Sequence, residues 1–245
     1  MKLRVLCAFP ISLSMLELPV QAADHDVGIL VEHIEIDERS ATKLLRSLGG
    51  KSDAAALREA LRVKVEAGEA KVSATSYVRT KSGQRAKIQS THEFIYPTEF
   101  DPPNLPQQLS GPIAPGVDIT THSNPTAYEM RPVGGTLEVD PVVNEGGKTI
   151  EINIAPELVE FVGYSKYGKD ETEVKQPIFY TMKASTSLTV ASGSYVLLGV
   201  YTPRSTEGGA MIGDKSRRVL ALMRASVVAT IGGEDGAEPA GDAAE

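Results

Sequence analysis

The sequence contains little cysteine or histidine and no tryptophan, and these shortages exclude several classes of protein. Its 245 residues include one cysteine, Cys7, and four histidines, so neither a disulfide framework nor a cysteine-ligated metal cluster is expected. Aromatic residues make up 5% of the chain, and the only sustained apolar run is N-terminal, so the body offers no candidate helical membrane span. The formal net charge of −7 argues against a basic nucleic-acid-binding face, and we expect no nucleic-acid partner.

The first residues have the pattern of an export signal. Lys2 and Arg4 precede an apolar run over residues 5–16, and small residues follow up to Ala23. This order is typical of a secretory signal peptide, which we predict over residues 1–22. A buried N-terminal helix is the alternative, but two prolines interrupt the segment. Cleavage would also remove Cys7 and leave a mature chain without a thiol.

The last residues, 231–245, form an acidic tail. From Gly232 onward they contain no basic residue and no bulky apolar side chain. Such a segment cannot bury enough surface to offset its ordering entropy, so we expect a disordered tail, with an acidic interaction tail as the alternative. Its five acidic residues are Glu234, Asp235, Glu238, Asp242 and Glu245.

The body, residues 27–230, is predicted to be mainly β with two short N-terminal helices. A β-branched strand at Val27–Ile36 comes first. Two helices follow. The first covers Ser40–Leu48. The second is capped by Ser52, has Val63 on its apolar stripe and ends at Gly68. Alternating apolar and polar residues then predict successive strands, at 71–79, 85–96, 136–143, 149–154, 178–190 and 195–201. The strand at Val219–Val228 is apolar on both faces, which predicts a central or covered position.

Searching the sequence for catalytic motifs gives only weak candidates. Gly49–Ser52 imitates the end of a phosphate-binding loop, but Leu45 occupies the position of the required first glycine. Glu138 and Asp140 share a strand face and could form an acid–base pair, although the wet side of a sheet explains them equally simply. We therefore expect no catalytic residue, no cofactor and no bound metal.

Histidine is similarly uninformative. His33 with Glu35, and His92 with Phe94, share strand faces. A metal site needs three or four convergent ligands, so we interpret both histidines as strand-surface residues.

Four segments, in order, resemble the C-terminal domain of the bacterial secretins, the outer-membrane ring channels of type II and type III secretion and type IV pilus systems. The first is a helix and a strand that lead to the turn at 82–88, and the second is the segment 133–143, with a valine–glycine and a leucine–x–valine–x–proline pattern. The third is the strand at 150–154. The fourth, at 188–199, is a glycine turn followed by a valine–leucine–glycine strand. The most specific match is 133–143. The positions that match the family pattern are Gly83, Ala86, Val133, Gly134, Leu137, Val139, Pro141, Gly193 and Gly199.

The resemblance implies a secretin-like antiparallel sheet protomer that contributes to an oligomeric double-walled β-barrel. It implies a homo-oligomer, contacts with the outer membrane and with other secretion-system proteins, and a location in the outer membrane or periplasm of a diderm bacterium. Closing such strands into a ring also removes sheet edges that would promote aggregation in a monomer.

The sequence also departs from the family pattern. The gate-region glycine falls at Thr91, the second glycine of the usual pair at 199–200 is Val200, and only Ile212–Asp214 resembles the signature expected before the last strand. No row of small periplasmic domains precedes the first hairpin within this sequence. These departures bear on pore formation, gating and cargo selection.

Two segments interrupt the strand pattern. The first, between residues 97 and 125, corresponds by position to the secretin gate, and a lumenal gate loop and a proline-stiffened surface excursion remain equal alternatives. Because proline removes a backbone donor, we expect no interior strand there. Its prolines are Pro97, Pro102, Pro103, Pro106, Pro112, Pro115 and Pro125.

The second interruption, residues 161–175, is polar and charged. By the resemblance, the wider segment 161–180 lies where secretins meet the outer membrane. An exposed loop is slightly favoured over an interfacial aromatic band. The candidate aromatics are Phe161, Tyr164, Tyr167, Phe179 and Tyr180.

The preferred function is thus a secretin-like, outer-membrane-associated channel component for protein secretion or pilus-type transport. The alternative is a periplasmic structural or binding module that keeps the fold without forming a pore. A secreted enzyme is a third reading, because catalytic residues need not form local motifs.

Overall fold

The computed structural model describes residues 25–101, 123–144, 146–169, 173–207, 210–213 and 216–228. The predicted signal peptide and the acidic tail therefore lie outside the described residues. Two helices, α1 (Glu38–Leu48) and α2 (Ala55–Glu66), follow the first strand. The strands are β1 (Asp26–Asp37), β2 (Ala70–Lys81), β3 (Ala86–Asp101), β4 (Asn124–Val143), β5 (Thr149–Tyr167), β6 (Val174–Lys183), β7 (Thr186–Ala191), β8 (Tyr195–Tyr201), β9 (Arg204–Glu207), β10 (Ala210–Gly213) and β11 (Arg217–Val228).

Two antiparallel sheets hold most of these strands. The first has the order β2-β1-β11-β8, and the second has the order β3-β4-β5-β6, with β7 also paired to β5. β9 and β10 form a separate hairpin that the sequence did not predict. The predicted fold class, mainly β and antiparallel with two short helices, is confirmed. So is the central position of β11, which lies between β1 and β8 because it is apolar on both faces.

Alternating side chains of β1 and β11 divide the core into two parts. Val27, Ile29 and Val31 face the second sheet, where they pack against buried residues of β4, β5 and β7. Ile34 and Ile36 belong to the opposite face, which packs against both helices. The molecule therefore has three layers, helices on sheet on sheet, and β1 and β11 are buried on both faces.

The helices begin at different residues from those predicted. α1 begins at Glu38, because the carboxylate of Asp37 accepts a hydrogen bond from the Ser40 backbone N–H at 2.9 Å and caps the helix two residues early. Ser52 does not cap α2. That helix begins at Ala55 after Ala54, and the Asp53 carboxylate accepts the Ala55 N–H at 2.9 Å.

The apolar stripe of α2 is also narrower than predicted. Leu57 and Leu61 are buried, whereas Val63 is 52% exposed. A bidentate ion pair supports the buried side of this helix: Arg58 donates to both carboxylate oxygens of Glu32 on β1, at 2.6 and 2.8 Å. This hydrogen bonding raises the pKa of Arg58. The pair joins the helical layer to the first sheet.

In the second sheet, β3–β4 and β5–β6 form two long hairpins, and both extend beyond the region where β4 pairs with β5. β4 pairs with β5 only between Gly134 and Val143, whereas its N-terminal part pairs with β3 alone. β5 continues past Val159 and pairs with β6 as far as Tyr167. The prediction of an exposed loop at 161–175 is therefore wrong for most of its length. A bulge between Phe161 and Gly163 disrupts the alternation that would have indicated a strand.

Candidate functional site

Two of the family-pattern glycines lie where the chain passes between the sheets. Gly83 connects β2 to β3, and Gly193 connects β7 to β8, with φ of 76° and 85° respectively. Each turn is anchored by backbone hydrogen bonds: Gly83 N–H donates to the Pro141 carbonyl at 2.7 Å, and Gly193 N–H donates to the Ala225 carbonyl at 2.8 Å. Glycine adopts this positive φ without steric cost. Both residues therefore stabilise the connections between the sheets.

The apolar family-pattern residues form the inner face of the second sheet. Leu137 is 0% exposed and Val139 is 1% exposed, and both pack against β1 and β11. Ala86 pairs with Val139 across β3 and β4 and packs at the edge of the same core. Pro141 is buried and supplies the carbonyl that holds Gly83. These residues have a packing role.

Gly134 marks the point where the β3–β4 hairpin separates from β5. It forms the last β4–β5 pair, with Val159, and it lies opposite Thr91 on β3. Its φ is 133°, and a Cβ atom built on it would lie 2.2 Å from the Ser90 carbonyl oxygen. Only glycine fits this close approach of two backbones. Val133, next to it, is 8% exposed.

Gly199 differs from the other glycines of the pattern. It lies within β8, where it pairs with Ala221. A Cβ atom there would meet the Tyr201 hydroxyl at 3.7 Å, an ordinary contact distance. The fold of a single chain therefore does not require glycine at this position.

An aromatic cluster joins the two hairpins beyond Gly134. Phe94 of β3 stacks on Phe161 of β5 at 5.0 Å between ring centroids and meets Phe179 of β6 edge-on at 5.5 Å. Arg131 of β4 lies over the Phe179 ring, with its guanidinium carbon 5.2 Å from the centroid. It also donates to the Thr181 hydroxyl at 3.1 Å. These contacts fix the β3–β4 hairpin against the β5–β6 hairpin.

The five candidate interfacial aromatics therefore do not share one surface. Phe161 and Phe179 belong to the aromatic cluster, and Tyr164 contacts it through Phe161 at 5.0 Å. Tyr180 is directed to the interior, because its hydroxyl donates to the Thr202 carbonyl at 2.8 Å and burial raises its pKa. Only Tyr164, 46% exposed, and Tyr167, 59% exposed, present much ring surface to the outside.

Two of the candidate gate prolines lie in strands. Pro97 of β3 pairs with Tyr128, and Pro125 of β4 pairs with Phe100. In the described parts of this segment, 97–101 and 123–125, the hairpin is two-stranded, and proline is tolerated on such a free edge. The remaining prolines, at Pro102, Pro103, Pro106, Pro112 and Pro115, lie outside the described residues.

The carboxylate pair suggested by the sequence lies on the outer face of the second sheet. Glu138 forms an ion pair with Arg85, and Asp140 lies beside it. Both line an open depression of about 550 Å³ together with Asn153 and Ser187. This surface is wet and polar, as the simpler sequence interpretation held.

His33 is the site residue that sequence reasoning misplaced. It is 5% exposed rather than on the strand surface, because β1 is covered on both faces. Its ring lies 6.4 Å from that of Tyr201, and burial lowers its pKa to about 4. Neither His33 Nε2 nor the Tyr201 hydroxyl has a hydrogen-bond partner among the described residues.

Further titratable groups interact with Tyr201 and with each other: Tyr201 with Tyr180, Tyr180 with Glu160, and Glu160 with Glu35. Glu160 of β5 pairs with Tyr180 of β6, and burial together with the charge of Glu35 raises the pKa of Glu160. Burial also raises the pKa of Tyr201, with a smaller effect from Tyr180. The burial of His33 could have been predicted from the sequence. A single histidine inside an apolar run such as β1 is more consistent with a buried position than with a surface position.

Among the described residues, no group of three or more histidine, cysteine, aspartate or glutamate side chains is arranged to hold a metal ion. In the same part of the chain, no helix is both long enough and apolar enough to cross a membrane.

Comparison with known proteins identifies the protein family. The family model named Secretin, described as bacterial type II and III secretion system protein, matches residues 64–208. This match begins in α2 and includes the glycine turns, the Gly134 kink and both hairpins. The chain belongs to the secretin family. No curated protein matches the chain by sequence.

Solved secretin structures are similar at low sequence identity. The InvG secretin-domain β-barrel of the Salmonella SPI-1 injectisome is 13% identical, with a TM-score of 0.43, over 88% of this chain and 66% of that one. The type II secretin GspD of enteropathogenic Escherichia coli is 13% identical, with a TM-score of 0.38, over 84% and 69%. ExeD of Aeromonas hydrophila is 15% identical, with a TM-score of 0.38, over 85% and 49%. The chain thus spans about half to two thirds of the length of these proteins.

Proposed function

We propose that this chain is a subunit of a ring-shaped, outer-membrane-associated secretin channel that moves macromolecules in protein secretion or pilus-type transport. The observation that carries the proposal is the family match over residues 64–208, which makes the chain a secretin-like component of a bacterial secretion system. The pore, the ring and the cargo go beyond that match. The role requires no catalysis and no cofactor, and its partners are further copies of the chain and other secretion-system proteins.

The edges of the second sheet support assembly into a ring. β3 forms one edge, β6 and β7 form the other along different parts of β5, and β3 is 16 residues long and mostly exposed. Long open edges in a free monomer favour pairing with another chain. When two different edges of the same protein pair head to tail, the contact repeats from copy to copy and can close into a ring. A closed barrel satisfies both edges at once.

An exposed apolar patch on the β3–β4 hairpin supports the same conclusion. Ile95 pairs with Met130, and the two are 64% and 53% exposed. Tyr128, two residues along β4, is 60% exposed. A contiguous apolar surface of this kind is typical of an interface with protein or membrane. In the proposed ring this hairpin contacts a neighbouring subunit.

Contact with the outer membrane is the less supported part of the proposal. Tyr164 and Tyr167 remain candidates for the membrane interface, because their rings are exposed near the end of the β5–β6 hairpin. Charged residues of the same hairpin, Lys166 and Glu173, pair at 3.1 Å and are compatible with the headgroup region rather than the hydrocarbon core. The proposed location is the outer membrane or periplasm of a diderm bacterium, after export by the N-terminal signal.

A periplasmic module without a pore is the second candidate. It is favoured by Thr91, which stands opposite Gly134 at the position of the family's gate glycine, and by the missing signature between Thr202 and Arg218. Such a module would keep the layered fold and the hairpin contacts but would remain a small particle.

The role of the proline-rich segment stays a prediction that can be tested in the assembled protein. Deleting residues 102–115 is expected to raise the permeability of proteoliposomes, because this segment between β3 and β4 corresponds by position to the secretin gate. Particle mass is expected to stay unchanged, because the aromatic cluster holds the β3–β4 hairpin in place. Dye efflux would be compared with that of a variant in which the same length of Gly/Ser linker replaces the segment. Rings of normal mass with unchanged efflux would show that the segment is a surface excursion.

A further inference from the structure

Helix α1 presents an exposed basic stripe. Arg39, Lys43 and Arg46 follow the i, i+4, i+7 spacing of one helix face, and all three are exposed. The opposite face, which includes Leu44, Leu45 and Leu48, packs on the first sheet. The stripe is therefore not needed to attach the helix to the fold.

The cations of α1 differ from those of α2 in their partners. On α2, Arg58 pairs with Glu32, Arg62 pairs with Glu59 and Glu66, and Lys64 pairs with Glu69. In the part of the chain that the structure describes, the three cations of the α1 stripe form no such pair. This stands out in a protein with a formal net charge of −7.

The stripe also lowers the intrinsic stability of its own helix. Like charges at i and i+4 repel, and Arg39 lies in the first turn, where the helix dipole disfavours a cation. Only Arg46, in the last turn, is placed favourably. A surface that weakens its own element and has no partner within the described fold is suited to an anionic ligand.

The same chain carries a segment of complementary charge. Residues 232–245 contain five acidic residues and no basic one. The segment follows β11, whose last residue, Val228, pairs with Asp26 at the far end of β1 from α1. The twelve paired residues of β1 span about 37 Å, whereas the 17 residues from 229 to 245 can extend to about 58 Å. At about 3.4 Å per residue, Glu238 reaches only about 34 Å from Val228, so Asp242 and Glu245 are the acidic residues that can reach the stripe on the same copy.

We propose that the basic stripe of α1 is a docking surface for the acidic segment 232–245, which pairs with it electrostatically on the same copy or on an adjacent one. Tethering raises the effective concentration of the segment above that of a free peptide, and it adds to the modest contribution of each exposed ion pair. The contact is sensitive to salt, because the Debye length falls from about 10 Å at 0.1 M to about 3 Å at 1 M. It does not depend on the chain forming a pore.

Zero-length carbodiimide crosslinking of the full-length protein, read by mass spectrometry, tests the proposal. Lys43 is expected to couple to Asp242 or Glu245 at 50 mM salt and to lose most of this coupling at 1 M. Lys87, an exposed lysine on β3 in the opposite layer, serves as the internal reference. Mixing isotopically labelled and unlabelled copies before assembly distinguishes a contact within one copy from a contact between copies.

A pair of double variants makes the test specific to the stripe. Arg39→Gln/Arg46→Gln keeps the reactive Lys43 and is expected to lower its coupling to the segment roughly fivefold, the effect of losing two exposed ion pairs. Arg62→Gln/Lys64→Gln removes the same charge from α2 and is expected to leave the coupling unchanged. Equal coupling at Lys43 and Lys87, or equal loss in both double variants, would overturn the proposal.

An anionic membrane is the competing occupant of the stripe. Membrane binding would be indicated by three results together. The protein would bind phosphatidylglycerol vesicles, and Arg39→Gln/Lys43→Gln/Arg46→Gln would abolish that binding. In the crosslinking experiment, Lys43 would couple to the segment only at the level of Lys87. That combination also overturns the proposal.

Discussion

Replacing Gly134 by alanine is expected to destabilise the protein by about 4 kcal/mol, the sum of backbone strain at a positive φ and the displacement of a packed neighbouring strand. The added Cβ would lie 2.2 Å from the Ser90 carbonyl oxygen and 2.9 Å from Thr91 Cα. Both are backbone atoms of β3, so no side-chain movement relieves the clash. The β3–β4 hairpin must shift, and its aromatic contacts with β5 and β6 weaken with it.

The neighbouring glycine supplies the matched control. A Cβ atom at Gly135 would have Ser76 Oγ, at 3.7 Å, as its nearest neighbour. Gly135→Ala is therefore expected to change the free energy of unfolding by less than about 1 kcal/mol. Urea unfolding followed by circular dichroism measures both variants at one protein concentration. Similar unfolding midpoints for the two would refute the assignment of Gly134 as the obligatory kink.

The second large expected effect is a loss of stability in mild acid caused by His33. Burial lowers the pKa of this residue from 6.5 to about 4 in the folded protein. Between these two pKa values, the unfolded chain binds a proton at this histidine and the folded chain does not. The contribution of His33 to the free energy of unfolding is therefore fully present above pH 6.5, and it is lost as the pH drops towards 4. Across that window the loss is about 3 kcal/mol, at about 1.4 kcal/mol per pH unit.

Other groups near His33 contribute differently to the pH dependence. The raised pKa of Glu160 stabilises the folded protein as the pH falls, so it opposes the effect of the histidine. The raised pKa values of Tyr180 and Tyr201 act only in the alkaline range. The contribution of His33 is therefore isolated by difference, between the wild-type protein and His33→Phe, which keeps an aromatic ring beside Tyr201.

The free energy of unfolding at pH 7.5 and pH 4.5 measures this difference. The wild-type protein is expected to lose roughly 2 to 3 kcal/mol more than His33→Phe between the two pH values. His92→Gln, a change at an exposed histidine, is expected to keep the wild-type pH dependence. An unaltered pH dependence in His33→Phe would mean that the buried ring is protonated in the folded state.

The sequence predicted the strands and helices whose positions follow from their own hydrophobic pattern or turn residues. Alternation identified β2, β3 and the C-terminal half of β4. In β4 it follows an alternation of buried and wetter positions, whereas β3 is mostly exposed in the single chain. The two-sided apolar pattern of β11 predicted its central position. The helix ending at Gly49 was predicted for the same kind of local reason, since Gly49 has a φ of 58°.

The elements that the sequence did not predict depend on distant contacts. β5 continues through a polar, bulged stretch because β6 pairs with it and Phe161 packs on Phe94 of another hairpin. Asp37 rather than Ser40 caps α1, and both residues are good caps by type. The burial of His33 follows from the layer that covers β1, which no local window contains. Of the candidate site, the turns and the core were predictable, whereas the aromatic cluster was not.

The mass and shape of the full-length protein, extracted from membranes in mild detergent, test the central claim most directly. Light scattering and electron microscopy of the same sample would give both quantities. We expect large rings with a central opening, built by head-to-tail contacts between the edges of the second sheet. A particle of one or two chains would contradict the channel and leave a secretin-family module that works without a pore.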